Sequence, residues 1–264
     1  MKKIFSNRTI WITGASGGIG EALAILLSKQ GAQLILSARR LEELERVNGL
    51  CGGNAFVVPI DLADEHSIRK AWEIVHAKFE SIDFLFNNGG ISQRGETLQT
   101  ELSTDRKIME VNFFGNILLA KLVGAKMSER KSGHIIVTSS LLGKWGFYLR
   151  SAYAASKHAL HGFYESMRME VEKDNVFITL VLPGFTKTDI SKHALNADGK
   201  PTQEMDNNQA GGLTPEEVAH AILRGVESKK FEIVIGGKEA KGVLVKRLFP
   251  SLFEKILRKQ SAKG

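Results

Sequence analysis

The stretch 151–158, SAYAASKH, places a tyrosine and a lysine four residues apart. In a helix Tyr153 and Lys157 would share one face, because residues four apart are neighbours on a helix surface. A free phenol has a pKa of about 10, so its anion is scarce at neutral pH. A nearby ammonium favours the phenolate, and we expect it to lower the phenol pKa and fit Tyr153 for proton exchange with a substrate oxygen. By itself the pair is weak, because this spacing often arises by chance.

Two polar residues upstream could serve the same reaction. Ser140 ends the apolar run HIIVTSS, and its hydroxyl is expected to bond a substrate carbonyl and hold charge as it develops. Ser139 is its rival for this role. Asn112 lies inside a long predicted helix, where its side-chain amide would sit near Lys157 and keep a water for proton relay. The alternative for Asn112 is an asparagine that bonds locally within its helix.

A glycine-rich turn follows the first apolar run, in TGASGGIGEALAILL. Gly14, Gly18 and Gly20 have no β-carbon, so a pyrophosphate could approach the backbone N–H groups at the start of the next helix. Glu21 stands where a P-loop has Lys-Ser/Thr, which excludes an ATPase site of that type. The pattern therefore favours a nucleotide cofactor over a mere tight turn.

The second apolar run ends in SARRLEEL, with no acid where NAD-dependent enzymes carry one for the ribose 2′-hydroxyl. Arg39 could instead bind a 2′-phosphate bidentately, assisted by Ser37 or Arg40. This predicts NADP rather than NAD. The alternative is that both arginines pair with Glu42 and Glu43 on the surface.

Asp61 closes the third apolar run, VVPIDL. Its carboxylate could accept a hydrogen bond from the adenine amino group of a dinucleotide. Alternatively, Asp61 starts the following helix.

The elements that must position these residues alternate along the chain. Seven apolar runs are predicted strands, at 9–13, 33–38, 55–60, 83–88, 134–140, 177–183 and 232–236. Helices are predicted between them, at 18–30, 41–48, 64–80, 101–130, 151–173 and 215–228. The last helix begins with Thr214 as N-cap, Pro215 at the first helical position and Glu217 closing a capping box. The alternation predicts an α/β fold, a Rossmann-type doubly wound parallel sheet with helices on both faces in a single domain. Ligands of such sheets bind beyond the carboxyl ends of the strands, where the residues above fall.

Taken together, the motifs resemble the short-chain dehydrogenase/reductase family. They are TGxxxGxG at 13–20, NNGG at 87–90, Asn112 in VNFFG, Ser140 in IIVTSS, YxxxK at 153–157 and PGFTKT at 183–188. The match covers residues 8–236 and is similar to the compact, single-domain, NADP-preferring branch. One departure is Gly89-Gly90, where the family more often has Ala-Gly; we interpret it as neutral for the chemistry. NNGGISQR is also similar to a subgroup that includes membrane-associated reductases.

The resemblance implies a role for each matching residue. Asn112, Ser140, Tyr153 and Lys157 are the implied catalytic residues, and Lys157 is also expected to bond the nicotinamide ribose. The implied contacts to NADP(H) are Gly14, Ser16, Gly18, Ile19, Gly20, Ser37, Arg39, Arg40, Asp61, Leu62, Asn88, Gly89, Gly90, Tyr153, Lys157, Pro183, Gly184, Thr186 and Thr188. Within this set, 88–90 would line the adenosine and ribose path, and the 183–188 turn would clamp the carboxamide through Thr188 and the backbone of Thr186. The alternative for that turn is a simple strand terminator.

Composition bounds the remaining possibilities. Of the net charge of +7, residues 241–264 carry +6, so the body, 1–240, is near neutral and a nucleic-acid partner is not expected. The single cysteine, Cys51, excludes an intramolecular disulfide. No histidine forms a pair with an acidic residue at the spacing typical of metal ligands, and we expect no metal. We find neither a signal peptide nor an apolar run of about 18 residues, so the cytoplasm is the predicted compartment.

Two segments remain outside the motifs. Residues 189–212 are polar, and a mobile lid over the substrate is predicted there. Residues 241–264 mix apolar and basic side chains, and could lie on an anionic membrane surface or pack on the body or a sister subunit. Candidate pocket residues, several of which core packing would explain equally well, are Leu141, Leu142, Trp145, Phe147, Tyr148, Phe185 and Ile190.

These observations predict an NADP(H)-dependent oxidoreductase that interconverts a carbonyl and an alcohol on an apolar small molecule, with Tyr153 as general acid/base. Two alternatives stay open: a catalytically silent NADPH-binding regulator, and a membrane-peripheral reductase of lipid-like substrates. The resemblance implies a homodimer or homotetramer through helices 101–130 and 151–173.

Overall fold

The seven apolar runs form one parallel sheet in a computed structural model that describes residues 4–261. The spatial order of the strands is 3-2-1-4-5-6-7, so the sheet is doubly wound, as predicted. The strands are β1 (Thr9–Thr13), β2 (Gln33–Ser37), β3 (Phe56–Val57), β4 (Phe84–Asn87), β5 (Gly133–Thr138), β6 (Val176–Pro183) and β7 (Glu232–Ile235). The order reverses between β1 and β4, and the crevice at that point is where such sheets bind nucleotides.

Helices cover both faces of the sheet. They are α1 (Gly18–Ser28), α2 (Leu41–Leu50), α3 (Glu65–Lys78), α4 (Leu102–Met109), α5 (Gly115–Glu129), α6 (Ser151–Val171), α7 (Asn207–Ala210), α8 (Pro215–Glu227), α9 (Gly242–Leu248) and α10 (Pro250–Ser261). One core lies between the sheet and α3, α5 and α6, and contains the fully buried Trp11 and Tyr164. The other lies between the sheet and α1, α2 and α8. Because both faces are covered, β1 is buried along its whole length.

Two elements differ from the sequence prediction. The third strand is only two residues long, although Val58 and Ile60 still donate backbone hydrogen bonds to β2 and its exit, at 3.0 Å each. The predicted helix 101–130 is interrupted by a π-helical turn, Glu110–Phe114, between α4 and α5. Such turns are rare and concentrate at functional sites, and this one contains Asn112.

The predicted capping box at α8 is confirmed. The amide of Glu217 donates to Thr214 Oγ1 at 3.2 Å, and the amide of Thr214 donates to Glu217 Oε2 at 2.8 Å. Pro215 occupies the first helical position.

The polar segment 189–212 is more tightly packed than its composition suggests. Ala194 and Leu195 are buried, and the amide of Leu195 donates to the Ser92 carbonyl at 2.9 Å. The backbone amide of Arg94 donates to the Leu195 carbonyl at 2.8 Å. Pairing with the loop after β4 therefore gives this segment a defined path over the carboxyl edge of the sheet.

The basic tail forms α9 and α10, which pack against the loop before α6. Phe253 is buried, and its ring meets that of Trp145 edge-on at 5.0 Å. Lys246 also donates a hydrogen bond to the Lys144 carbonyl. The last three residues of the predicted tail lie outside the described residues.

We expected no segment long and apolar enough to span a membrane. This expectation was wrong, because one helical segment meets the criteria of length and composition. The continuous helical segment Leu102–Glu129 has a window with a mean hydropathy of 1.4. Half of that window is buried in the protein, because it belongs to the helices that cover the sheet.

Candidate active site

The glycine turn after β1 packs tightly against the ends of β4 and β6. Gly14 has a φ of 63°, and a β-carbon there would lie 2.8 Å from the Gly89 Cα. Gly18 has a φ of 55°, and a β-carbon there would lie 2.9 Å from the Thr188 methyl group. Gly20 lies over the Gly14 carbonyl. The turn thus presents bare backbone at the start of α1, the feature that a pyrophosphate needs.

Other predicted contacts of the cofactor surround this turn. Ser16 and Ile19 belong to the turn and are half-buried. A β-carbon at Gly89 would lie only 2.6 Å from the Cδ1 atom of Leu62. Gly90 borders the catalytic end, since a β-carbon there would lie 3.6 Å from Lys157 Nζ.

Asn88 ties three strands together. Its amide and that of Gly89 both donate to Thr13 Oγ1 at 3.0 Å. Its side-chain nitrogen donates to the Thr13 carbonyl at 3.3 Å, while its side-chain oxygen accepts from Thr138 at 3.2 Å. The side chain therefore fixes the glycine turn relative to β4 and β5.

The two arginines after β2 are exposed at the edge of the crevice. Glu43, their suggested surface partner, instead pairs with Arg46 at 2.9 Å, and Arg46 also pairs with Glu21 at 2.7 Å. Within residues 4–261 no carboxylate forms an ion pair with Arg39 or Arg40, and Arg40 acts on Glu43 only at longer range. Both guanidinium groups are available to an anion.

Ser37 is placed differently from the prediction. It is fully buried, and its hydroxyl accepts a hydrogen bond from the Trp11 indole at 2.8 Å. This position does not support the predicted assisting contact of its hydroxyl with a 2′-phosphate, because the side chain faces the core.

Asp61 lies at the carboxyl end of the third strand, but it does not start the next helix. The N-cap of α3 is Asp64, whose side chain accepts from the amide of His66. One oxygen of Asp61 accepts from the Ala63 amide at 2.9 Å, and the Asp61 amide donates to Ser67 Oγ of α3 at 3.0 Å. These bonds hold the carboxylate in the turn beside the crevice.

Tyr153 and Ser140 meet at the carboxyl end of β5. The Ser140 hydroxyl lies near the Tyr153 phenol, whose pKa it lowers, and it accepts a hydrogen bond from the Leu142 amide at 3.1 Å. Burial raises the pKa of the Tyr153 phenol above its ordinary value, against the lowering effects of Ser140 and of the Arg150 charge. The expected lowering of this pKa by Lys157 is not found, because desolvation dominates in the chain alone.

Lys157 is buried beside this phenol. Its Nζ atom lies 5.6 Å from the centre of the Tyr153 ring and donates to the Thr138 carbonyl at 2.9 Å. Burial lowers the pKa of Lys157 to about 8. The ammonium is therefore held at the end of β5, on the same side of the sheet as Ser140.

Asn112 is fully buried, and both the oxygen and the nitrogen of its side chain are hydrogen-bonded. Its oxygen accepts from the Ile91 amide at 2.8 Å, and its nitrogen donates to the Ile91 carbonyl at 2.9 Å and to Ser156 Oγ at 3.0 Å. Ser156 in turn donates to the Tyr153 carbonyl at 2.7 Å. The amide lies near Lys157, as predicted, and its bonds link the loop after β4 to α6. Its role in holding a water for proton relay stays a prediction.

The 183–188 turn closes the crevice from β6. Thr186 is buried and donates to the carbonyl of Gly184 at 3.2 Å, while the Thr188 amide donates to the Thr186 carbonyl at 2.8 Å. Pro183 is the last residue of β6. The methyl group of Thr188 reaches Gly18, so this turn touches the glycine turn directly.

Sequence reasoning missed Gln93. It is fully buried in the loop after β4, and its side-chain oxygen accepts from the amides of Ala152 at 2.8 Å and Tyr153 at 3.3 Å. The side chain of Arg150, the N-cap residue of α6, accepts no hydrogen bond from the first amides of the helix. Instead it donates to the Gln93 carbonyl at 2.6 Å and to Asp206 at 3.0 Å. No local signal could have revealed this, since the partners are about 60 residues apart.

Ser139 does not compete with Ser140 for the substrate. It is buried, donates to the Lys157 carbonyl at 3.3 Å and lies 3.1 Å from His161 Nε2. Of the candidate pocket residues, Leu141 and Trp145 belong to the core, whereas Leu142, Phe147, Phe185 and Ile190 are half-buried and Tyr148 is exposed.

Comparison with known proteins identifies this arrangement. Residues 8–199 match the family model for short chain dehydrogenases. The chain belongs to the short-chain dehydrogenase/reductase family. This is a family of oxidoreductases, and its fold binds a nicotinamide cofactor, so the predicted family and fold class are confirmed.

Individual relatives agree with this assignment. The chain is 38% identical to a protein of Drosophila melanogaster named Dehydrogenase/reductase SDR family protein 7-like. The alignment spans 265 residues and covers 97% of this chain and 81% of the relative. A short chain dehydrogenase/reductase of Burkholderia phymatum in complex with NAD matches with a TM-score of 0.83 and 21% identity, over 94% of this chain and 95% of that one. A short-chain dehydrogenase of Sphingobium yanoikuyae in complex with NADPH matches with a TM-score of 0.73 and 25% identity, over 86% and 87% of the two chains.

Proposed function

We propose that this protein is an NADP(H)-dependent oxidoreductase that interconverts a carbonyl and an alcohol on an apolar small molecule, with Tyr153 as general acid/base. The observation that carries the proposal is the placement of the Ser140 hydroxyl near the Tyr153 phenol, beside the buried ammonium of Lys157. The three groups come from β5 and α6 and converge at the carboxyl edge of the sheet, the edge used for catalysis in this architecture.

The residues present fit a dinucleotide with a 2′-phosphate. The glycine turn leaves space that β-carbons would fill, and it stands at the positive end of α1. Beyond the end of β2, Arg39 and Arg40 are exposed without ion-pair partners in the described chain. The related structures include one with NAD and one with NADPH, so the preference for NADP rests on these two arginines. When bound, the cofactor supplies the hydride.

The protein's own residues would handle the proton and the developing charge. Because burial raises the pKa of Tyr153, the phenol is protonated at neutral pH and can donate its proton to an alkoxide oxygen. Ser140 would hydrogen-bond the same oxygen and stabilise its charge. Lys157, held by the Thr138 carbonyl, would bond the nicotinamide ribose and stabilise the phenolate that remains. A protonated phenol is the form that the reduction of a carbonyl requires.

Asn112 and Gln93 would act through other residues. Asn112 joins the loop after β4 to Ser156, and Gln93 bonds the first amides of α6. Both bonds set the position of the helix that carries Tyr153 and Lys157. We therefore assign them as positioning residues for the proposed reaction.

The decisive test is consumption of NADPH and NADH across a panel of aldehydes, ketones and quinones. Tyr153→Phe is expected to abolish turnover while the Kd for NADPH, measured by fluorescence titration, changes little. Tyr164→Phe is the matched control, because Tyr164 is a buried tyrosine of the same helix whose hydroxyl bonds Asn116 outside the site. Undiminished turnover by Tyr153→Phe would refute the acid role. Tight NADPH binding with no consumption of any substrate would favour the silent regulator instead.

We also infer a homodimer or homotetramer. The helices predicted to form its surfaces expose large apolar side chains, among them Leu102, Phe114 and Met169, which are 62%, 48% and 74% exposed. Light scattering coupled to size exclusion would test this, and a mass of about 29 kDa, that of one chain, would refute it.

A further inference from the structure

The tail helices α9 and α10 pack on the body with only part of their apolar surface. On α10 the inner stripe is formed by Phe253, which is buried, and Leu257, which is half-buried. A second apolar stripe faces solvent. Its members, here called the tail face, are Leu244, Leu248, Phe249, Leu252 and Ile256, and they are 61%, 57%, 60%, 52% and 40% exposed. Soluble proteins rarely expose so many large apolar side chains together, and such patches mark interaction sites.

Basic residues border the tail face. Lys255 and Lys259 follow Leu252 by three and seven positions, so they lie on the same side of α10 as Leu252. Across residues 241–261 there are six bases and one acid, Glu254, which pairs with Arg258. The face therefore combines exposed apolar side chains with a strong local positive charge.

We propose that the tail face docks this protein on an anionic lipid surface, with α9 and α10 lying in the plane of the interface. An amphipathic helix of this composition buries its apolar stripe at the boundary between headgroups and acyl chains, while its lysines meet the anionic headgroups. A second copy of the chain fits this face less well. A two-fold contact brings the same patch of both copies together, and here it would bring two positively charged patches together. A nucleic acid would leave the apolar side chains exposed.

The position of the tail gives this docking a consequence for the site. The Trp145–Phe253 contact joins α10 to the loop that runs from Ser140 to α6. A cavity of about 290 Å³ lies between them, lined by Gly146, Phe147, Tyr148, Glu254, Leu257 and Arg258. On a membrane, this cavity, which includes the candidate pocket residues Phe147 and Tyr148, would stand beside the lipid. This consequence rests on the proposed function, whereas the docking itself does not.

Vesicle co-sedimentation of the full chain tests the docking. Binding is expected to vesicles of phosphatidylglycerol and phosphatidylcholine, to be much weaker to phosphatidylcholine alone, and to fall as salt is raised. Leu252→Ser with Ile256→Ser, and separately Lys255→Glu with Lys259→Glu, should each weaken binding by at least about tenfold. The matched controls are Leu98→Ser, since Leu98 is fully exposed elsewhere, and Lys29→Glu with Lys70→Glu, two exposed lysines of the body.

The outcomes separate the proposal from its rivals. Absence of binding to anionic vesicles, or equal loss in the control variants, would overturn it. Unchanged vesicle binding together with a lower particle mass in the tail variants would assign the face to contact between copies. Turnover of a water-soluble carbonyl substrate should be the same in all these variants, so a failure of the proposed reaction would be seen independently.

Discussion

Gln93 accepts a hydrogen bond from the amide of Ala152 at 2.8 Å, so a residue from the loop after β4 caps the helix that carries Tyr153. The amides at the start of a helix have no partner within it, and in most helices a local side chain satisfies them. Here the cap comes from a distant loop, which also pairs with the segment around Leu195. The catalytic helix and the loops over the crevice are therefore mechanically joined.

Gln93→Ala should destabilise the protein by about 1–2 kcal/mol, because it removes the acceptor of two buried amides. We expect kcat to fall more than the KM for NADPH rises, since Tyr153 moves while the glycine turn keeps its contacts. Chemical denaturation and steady-state kinetics measure the two effects. Gln99→Ala, at an exposed glutamine of the same region, should leave stability and kinetics unchanged. Equal stability of Gln93→Ala and the parent would contradict the capping role.

Arg39→Asp should reverse the cofactor preference. Its guanidinium is exposed without an ion-pair partner among the described residues, and a hydrogen bond to a charged group contributes about 1.5–3 kcal/mol. Replacement by a carboxylate also repels the 2′-phosphate, so kcat/KM for NADPH should drop by about tenfold or more, relative to that for NADH. Lys29→Asp, at the opposite end of α1, is the control for a loss of surface charge. An unchanged NADPH/NADH ratio in Arg39→Asp would argue against NADP.

The stability of the cofactor-free protein should rise between about pH 8 and pH 10. Burial lowers the pKa of Lys157 to about 8 in the folded chain, whereas an unfolded lysine has a value near 10.4. In this window the unfolded state binds more protons, so raising the pH favours the folded state. Below pH 8 both states are protonated, and the full cost of burying the charge, roughly 3 kcal/mol, is present.

Melting temperatures across pH, for the parent and for Lys157→Met, isolate this effect as a difference between two curves. The parent curve should climb relative to the variant from pH 8 to pH 10. Tyr153 does not obscure the window, because its raised pKa affects stability only above its ordinary value near 10. Parallel curves would show that Lys157 is not desolvated in solution.

Thr214→Ala should cost about 1 kcal/mol of folding free energy. The substitution removes the hydroxyl that accepts from the Glu217 amide at the start of α8, the helix that packs against α1. Thr214→Ser, which keeps the hydroxyl, is the matched control. A melting temperature identical to that of the parent would show that the capping box contributes nothing.

Much of the fold was readable from the sequence. Continuous apolar runs such as TIWIT predict strands buried on both faces, and their alternation with helical segments leaves few alternatives to a doubly wound sheet. The capping box of α8 and the glycine turn are local patterns whose residues interact over a few positions. Tyr153 and Lys157 could be paired for the same reason, since helical spacing places them on one face.

The sequence alone determined the order of the elements and which polar residues fall at the carboxyl edge of the sheet; only the tertiary structure decided what each of these residues contacts. Gln93 caps α6 from about 60 residues away. The Ser37 hydroxyl faces the core and accepts from Trp11. The side-chain amide of Asn112 forms hydrogen bonds with Ile91 and Ser156. Likewise, burial raises the pKa of the Tyr153 phenol. The degree of burial depends on all the segments that pack around the side chain. Spacing along the chain carries local geometry, whereas desolvation and long-range hydrogen bonds arise only when distant segments meet.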